Sequence, residues 1–168
     1  MNTAFKIILF TVAALVVLKS CVPYLGFENP LLGEPVPEVT LTNLDEQEVP
    51  LSAVRSGKPA LIFFWATWCP HCRARIQELA AYRQAIENRG ATIILINVGE
   101  RPAKVRNFMV TQKLPFDMYL DEDRTISKQF HLIGVPTFFF LNQAGKILAV
   151  ENNLPESYTE ILLSPSGL

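Results

Sequence analysis

Two cysteines with two residues between them, Cys69 and Cys72 around Pro70-His71, are the residues here whose types and spacing can do chemistry. The third cysteine, Cys21, lies far upstream, and three are too few for a disulfide scaffold. A C-x-x-C spacing also suits a zinc site, so the spacing alone does not choose between redox and metal chemistry. Context narrows it. The pair follows an apolar run, Ala60 to Trp65, and opens a helix, which puts Cys69 at a helix N-terminus. Unpaired N–H groups and the helix dipole stabilise an anion there, and a thiolate is such an anion. Thiols so placed ionise at roughly 3.5 to 7.5 instead of about 8.5. Cys72, three residues on, should sit deeper and stay protonated. The spacing thus implies a division of labour: an exposed Cys69 attacks a partner's disulfide, and Cys72 displaces the partner from the mixed disulfide. A partly protonated His71 would favour the Cys69 thiolate, unless it is simply a solvated helix residue. Pro70 stiffens the turn and limits how far the sulfurs can separate.

The elements that must position this pair can be read from patterning. Ala60 to Trp65 is a continuous apolar run of strand length, as expected of a central strand covered on both faces. A helix should run from Pro70 to about Asn88, with Pro70 in the first turn, Ile76, Leu79, Ala80 and Ile86 facing inward, and Gly90 closing it. Thr92 to Val98 reads as a second buried strand, Ala103 to Gln112 as an amphipathic helix, and Met118 to Leu120 as a short extended piece. Strand, helix, strand implies a parallel crossover. Thr137 to Leu141 and Ile147 to Val150 are strands joined by a loop containing Gly145, and Pro155 to Leu163 is a closing helix. Upstream, Val36 to Leu41 and Gln47 to Leu51 form an opening hairpin around Asn43 to Glu46, and Ser52 to Arg55 add a turn of helix.

The chain's 168 residues hold one domain with a single core. A net charge of -1 and a pI near 6.1 provide no basic field for nucleic acid. The mean hydropathy of +0.22 owes part of its value to Ile7 to Leu18, an apolar stretch broken only by Thr11 and preceded by Lys6. Its length fits a signal peptide and falls short of the ~20 residues a membrane-crossing helix needs. Leu18-Lys19-Ser20-Cys21 is similar to a bacterial lipoprotein cleavage box, except at Lys19, and makes Cys21 a lipidation candidate. A helical anchor that recruits Ala4 and Phe5, and simple cleavage, stay open beside it. The organisation is therefore a leader or anchor over 1–21, a Pro- and Gly-punctuated tether over 22–34, and a folded domain over 35–166.

The run Phe64-Trp65-Ala66-Thr67-Trp68-Cys69-Pro70-His71-Cys72-Arg73 resembles the active-site segment of the thioredoxin superfamily, in particular its TlpA/ResA/DsbE branch of exported, membrane-anchored proteins. Gly134-Val135-Pro136-Thr137 resembles that family's cis-proline loop, and Gly33 to Leu51 the branch's extra N-terminal hairpin. The resemblance runs from about Gly33 to Ile161. It implies an α/β fold: a thioredoxin-like mixed central sheet with helices on both faces and an extra N-terminal β-hairpin. It also implies a cis Pro136 packed against Cys69, with Val135 offering its backbone to an extended chain; Trp68, by its position flanking the motif, is expected on the substrate-facing rim. The expected protein is a thiol-disulfide oxidoreductase of the cell envelope. It needs no metal and no cofactor beyond the Cys69-Cys72 pair, takes protein thiols and disulfides as substrates, and is fed by a membrane electron donor of the DsbD/CcdA type. A disulfide reductase, of the cytochrome c maturation or a general type, is the reading within that frame.

Departures from the family pattern bear on direction. The branch often has a Glu three residues after the second Cys and a Pro two further on; here they are Arg75 and Gln77, and the buried acid of thioredoxin itself aligns with Phe63. No carboxylate stands where relatives place a proton acceptor for Cys72. A cation at Arg75, unless taken up by Glu78, favours thiolate and makes the disulfide more oxidising. A dithiol oxidant resembling DsbA, which shares the Pro-His dipeptide, is the alternative, although the stretch from Val98 to Gly134 is too short for that family's helical insertion. A copper-handling module using Cys69, Cys72 and His131 is a further one, with Pro136 against it. Peroxidase chemistry does not fit, because Ile62 and Ala66 replace the Pro and Thr that peroxiredoxins place before the reactive Cys. Of the remaining residues, Trp65 belongs in the core and His131 reads as a satisfied surface or core histidine. Asp121-Glu122-Asp123 reads as a solvated turn and helix start.

Overall fold

The computed structural model describes residues 28–163. The expected leader, the Cys21 lipidation candidate and the ends of the predicted tether and domain lie outside them. Among the described residues, no helix is long and apolar enough to cross a membrane.

The apolar run becomes β3 (Ala60–Trp65), every residue of it buried. It pairs in parallel with β4 (Thr92–Val98) and antiparallel with β6 (Thr137–Leu141), which makes it central. β4 continues in parallel to β5 (Met118–Asp121), and β6 continues antiparallel to β7 (Ile147–Glu151). The opening hairpin forms as β1 (Thr40–Asn43) and β2 (Glu48–Pro50) and joins the same sheet through antiparallel pairing of β1 with β5. Among the described residues the mixed sheet has seven strands in the order β2-β1-β5-β4-β3-β6-β7. At its far edge the first residue of β7 is already engaged: Gly33 N–H donates to Ile147 O, and Ile147 N–H donates to Glu34 O, each at 2.9 Å.

Helices cover both faces. Leu61, Phe63 and Trp65 point to the side occupied by α2 (Pro70–Asn88), α3 (Pro102–Gln112) and α5 (Tyr158–Leu163), where they meet Ile76, Leu79, Val105 and Leu162. Ala60, Ile62 and Phe64 point to the opposite side, toward Leu51 of α1 (Leu51–Arg55) and Ile126 of α4 (Thr125–Gln129), with Phe130 just beyond it. Alternation along a strand buried on both faces is why the sequence shows no polar gap there. Val36 and Val39 pack on the second layer as the chain passes from the β7 edge to β1.

Four expectations change. The apolar interior forms two layers, one on each face of the sheet, and not a single core. The first hairpin strand runs over Thr40–Asn43 and not Val36–Leu41, so Asn43 belongs to the strand. Asp121 is buried, not solvated: its carboxylate accepts from the N–H groups of Ile126 and Ser127, at 2.9 and 2.8 Å, and from the Ser127 hydroxyl. It therefore satisfies orphan donors at the start of α4. The closing helix begins at Tyr158, with 155–157 forming the turn before it.

Candidate active site

Cys69 caps α2. Its backbone is extended (φ −88°, ψ 110°), Pro70 occupies the first helical position, and the Cys72 N–H points at Cys69 Sγ from 3.1 Å. No acidic residue stands in the first turn to oppose a negative charge. The helix terminus thus supplies what a Cys69 thiolate requires, a converging N–H and the positive end of the dipole. Cys69 and Cys72 are joined as a disulfide with Cα atoms 5.2 Å apart. Cys72 is fully buried against the apolar layer, as expected. Cys69 corrects the picture of an exposed nucleophile: it is only 4% accessible in this oxidised form, although its neighbours Trp68 (62%), Pro70 and His71 are exposed.

The Gly134–Thr137 loop meets the disulfide from β6. The Val135-Pro136 peptide is cis, and Val135 O lies 3.9 Å from Cys69 Sγ. The Thr137 hydroxyl donates to Gly134 O at 2.8 Å and braces the loop. Cys69, Val135 and Pro136 are therefore together, with Trp68 and the 84%-accessible Ile133 on the outside. Ile133 and His131 also line a shallow groove with Leu32, Leu148 and Val150. Asn29 Nδ2 donates to Phe130 O at 2.9 Å and ties the start of the described chain to this side.

Other expectations resolve individually. Arg75 is paired with Glu78 at 2.6 Å, the partner the sequence offered it. Phe63 stacks on Phe138 with centroids 4.3 Å apart, and the core layer shared with Cys72 is apolar at this position. Trp65 is buried and donates its indole N–H to Met118 Sδ at 3.1 Å. His131 is an exposed residue in the left-handed region (φ 50°). Among the described residues no three His, Cys, Asp or Glu side chains are gathered as a metal site, so His131 does not join the cysteines as the copper reading requires.

Sequence reasoning missed Glu100. Gly99 turns the chain at the end of β4 with φ +71°, and Glu100 enters the protein only 6% accessible. Its Oε2 accepts from Thr67 N–H (2.6 Å) and Asn97 Nδ2 (2.9 Å), and its Oε1 from the Thr67 hydroxyl (2.7 Å) and Lys104 Nζ (2.6 Å). Asn97 Oδ1, buried beside it, has no hydrogen-bond partner among the described residues. The available signal was a polar Asn97 inside an apolar strand, followed by Gly-Glu at the carboxyl end of a parallel strand, where α/β proteins gather sites. Burial would push the Glu100 carboxyl up, but hydrogen bonds from Lys104, Asn97 and Thr67 together outweigh it and hold it below the ordinary value near 4.5. Its folded-state value being depressed, Glu100 contributes stability that is fully present above pH 4.5 and is lost as pH falls through the lower folded-state value. Urea midpoints measured from pH 7 down to 3 should fall across that interval, and less so in Glu100→Gln; equal falls would contradict the assignment.

The AhpC/TSA family matches residues 32–150. The chain is 30% identical over 127 residues to the thiol-disulfide oxidoreductase ResA of Bacillus subtilis, covering 76% of this chain and 70% of that protein. It is 32% identical over 124 residues to the thiol:disulfide interchange protein DsbE of Pasteurella multocida, covering 73% and 66%. Its fold superposes on the crystal structure of a thiol:disulfide interchange protein of the thioredoxin family from Chlorobium tepidum with a TM-score of 0.67 at 25% identity, covering 77% of this chain and 96% of that one.

Proposed function

Because this chain belongs to the AhpC/TSA family of thioredoxin-like proteins, and within it to the TlpA/ResA/DsbE branch of thiol-disulfide oxidoreductases, we propose that it is a disulfide reductase of the cell envelope. The observation that carries the reading is the Cys69-Cys72 disulfide at the N-terminus of α2, beside the carbonyl that precedes a cis proline. In the reduced pair, the Cys69 thiolate attacks one sulfur of a substrate disulfide. The Cys69–substrate bond forms, the substrate S–S bond breaks, and the leaving sulfur departs as a thiolate that takes a proton. Cys72 then loses its proton and attacks Cys69 Sγ. The second substrate sulfur leaves, and two electrons have passed from the pair to the substrate. With Phe63 in the apolar layer beneath the pair, water, His71 or the released substrate thiolate takes the Cys72 proton. Pro70 and His71 support the pair, and Trp68 and Val135 receive the extended substrate, with Val135 pairing through its backbone.

The substrates are protein disulfides, including those of the cytochrome c maturation type. The pair itself is the only redox group required, with no separate cofactor. Regeneration falls to a membrane dithiol donor of the DsbD/CcdA type. The domain stands on the extracytoplasmic face, held by its N-terminal helix or by lipid on Cys21. Equilibration of the pair with glutathione tests direction: a potential nearer to thioredoxin's, about −270 mV, is expected, and one near DsbA's, about −120 mV, would replace the reductase with a dithiol oxidant.

A further inference from the structure

We propose that Glu100 is a positioning residue for the reactive cysteine, acting through Thr67 to hold the 66–69 turn in the register that sets Cys69 Sγ on the N-terminus of α2. This deepens the exchange reading and rests on it.

The turn is closed by the Cys69 N–H donating to Ala66 O at 3.2 Å, and α2 then begins with Arg73 N–H on Cys69 O at 3.1 Å. Between them lies Trp68, too exposed to anchor anything. Thr67 is fixed at both of its donors, main-chain N–H and hydroxyl, by the two oxygens of one carboxylate. That carboxylate belongs to the β4–α3 connection, and Asn97 and Lys104 hold it from the other side. A two-point attachment removes rotation as well as translation, and a misplaced Cys69 would lose the Cys72 N–H now 3.1 Å away. Burying an ion is a costly way to satisfy one loop N–H, since a neutral acceptor would suffice for stability alone. The four donors around Glu100 show a site built to keep the charge.

The sign of one measurement separates positioning from the alternatives. In the reduced full-length protein, the rate of Cys69 alkylation by iodoacetamide against pH gives its apparent pKa. Loosening the turn withdraws N–H stabilisation and raises it, whereas removing a nearby negative charge acting only through space lowers it. Glu100→Gln is expected to raise the Cys69 value by about one unit, slowing alkylation up to tenfold at pH values below it. Thr67→Val, which keeps the N–H bond and removes the hydroxyl, should move it the same way by less, and should add nothing in the Glu100→Gln background. A lowered value, an unmoved value beside a reduced melting temperature, or additive effects of the two changes would each overturn the proposal. If Glu100→Gln does not fold, Thr67→Val decides alone: a raised value supports positioning and an unmoved one overturns it. A wild-type Cys69 that titrates like a free thiol overturns the exchange reading as well, which distinguishes that failure from a failure confined to Glu100.

Discussion

A Cys72→Ser variant is expected to accumulate a covalent adduct with its protein substrate, seen on non-reducing gels as a band that a reductant removes, while Cys69→Ser accumulates none. The asymmetry follows from the geometry. Cys69 caps α2, carries the converging N–H and lies beside the Val135 carbonyl, whereas Cys72 is fully buried one turn along. Without Cys72 the first exchange still proceeds and the second does not, so each molecule stops after one event; without Cys69 the pair keeps only the buried Cys72 and presents no sulfur to a substrate. Turnover should be abolished in both variants. An adduct on Cys69→Ser instead would reverse the assigned roles, and adducts on neither would remove protein thiol exchange as the activity.

The second large effect is on stability. Phe63→Ala should cost about 3–5 kcal/mol, lowering the melting temperature by roughly 10 °C or more. Phe63 is fully buried in the central strand and stacks nearly parallel on Phe138, with an interplanar angle of 14°. Strands on both sides fix its backbone, which leaves the cavity little chance to collapse. Phe63→Leu keeps most of the volume and should cost under about 1.5 kcal/mol. A loss below about 1 kcal/mol for the alanine variant, by urea denaturation, would mean that the layer beneath Cys72 relaxes freely.

Much of the frame was legible because it is written in local pattern. The unbroken apolar run predicted a doubly covered strand, and β3 pairs on both sides with alternate residues in two layers. The helix from Pro70 to Asn88 agrees in both ends, since a first-turn proline and a closing glycine are sequence-local signals. The loop at Pro136 was legible only through resemblance, because the residue alone does not say whether its bond is cis. What escaped depends on distant pairings. Thr67 and Glu100 are 33 positions apart and meet because β3 and β4 run in parallel and end at the same edge. Asp121 looked like one charge in an acidic turn; its burial depends on α4 folding back so that three donors converge on it. The low accessibility of Cys69 is partly tertiary, since the loop from β6 brings Val135 O to within 3.9 Å of the sulfur that Cys72 already holds.

A protein that meets other chains with disulfides to exchange also meets chains with unpaired backbone, and a bare strand edge would let them add on as further strands. Here one edge, β2, is three residues long, opens with Glu48 and ends in Pro50, which has no N–H to offer. At the other edge, Gly33 and Glu34 already hold both backbone groups of Ile147. Zipper-like growth of a client chain along the sheet is thereby discouraged at both ends. On the proposed function, contact falls to the rim around Trp68 and Val135, where a client's stay is limited by the lifetime of one reversible S–S bond.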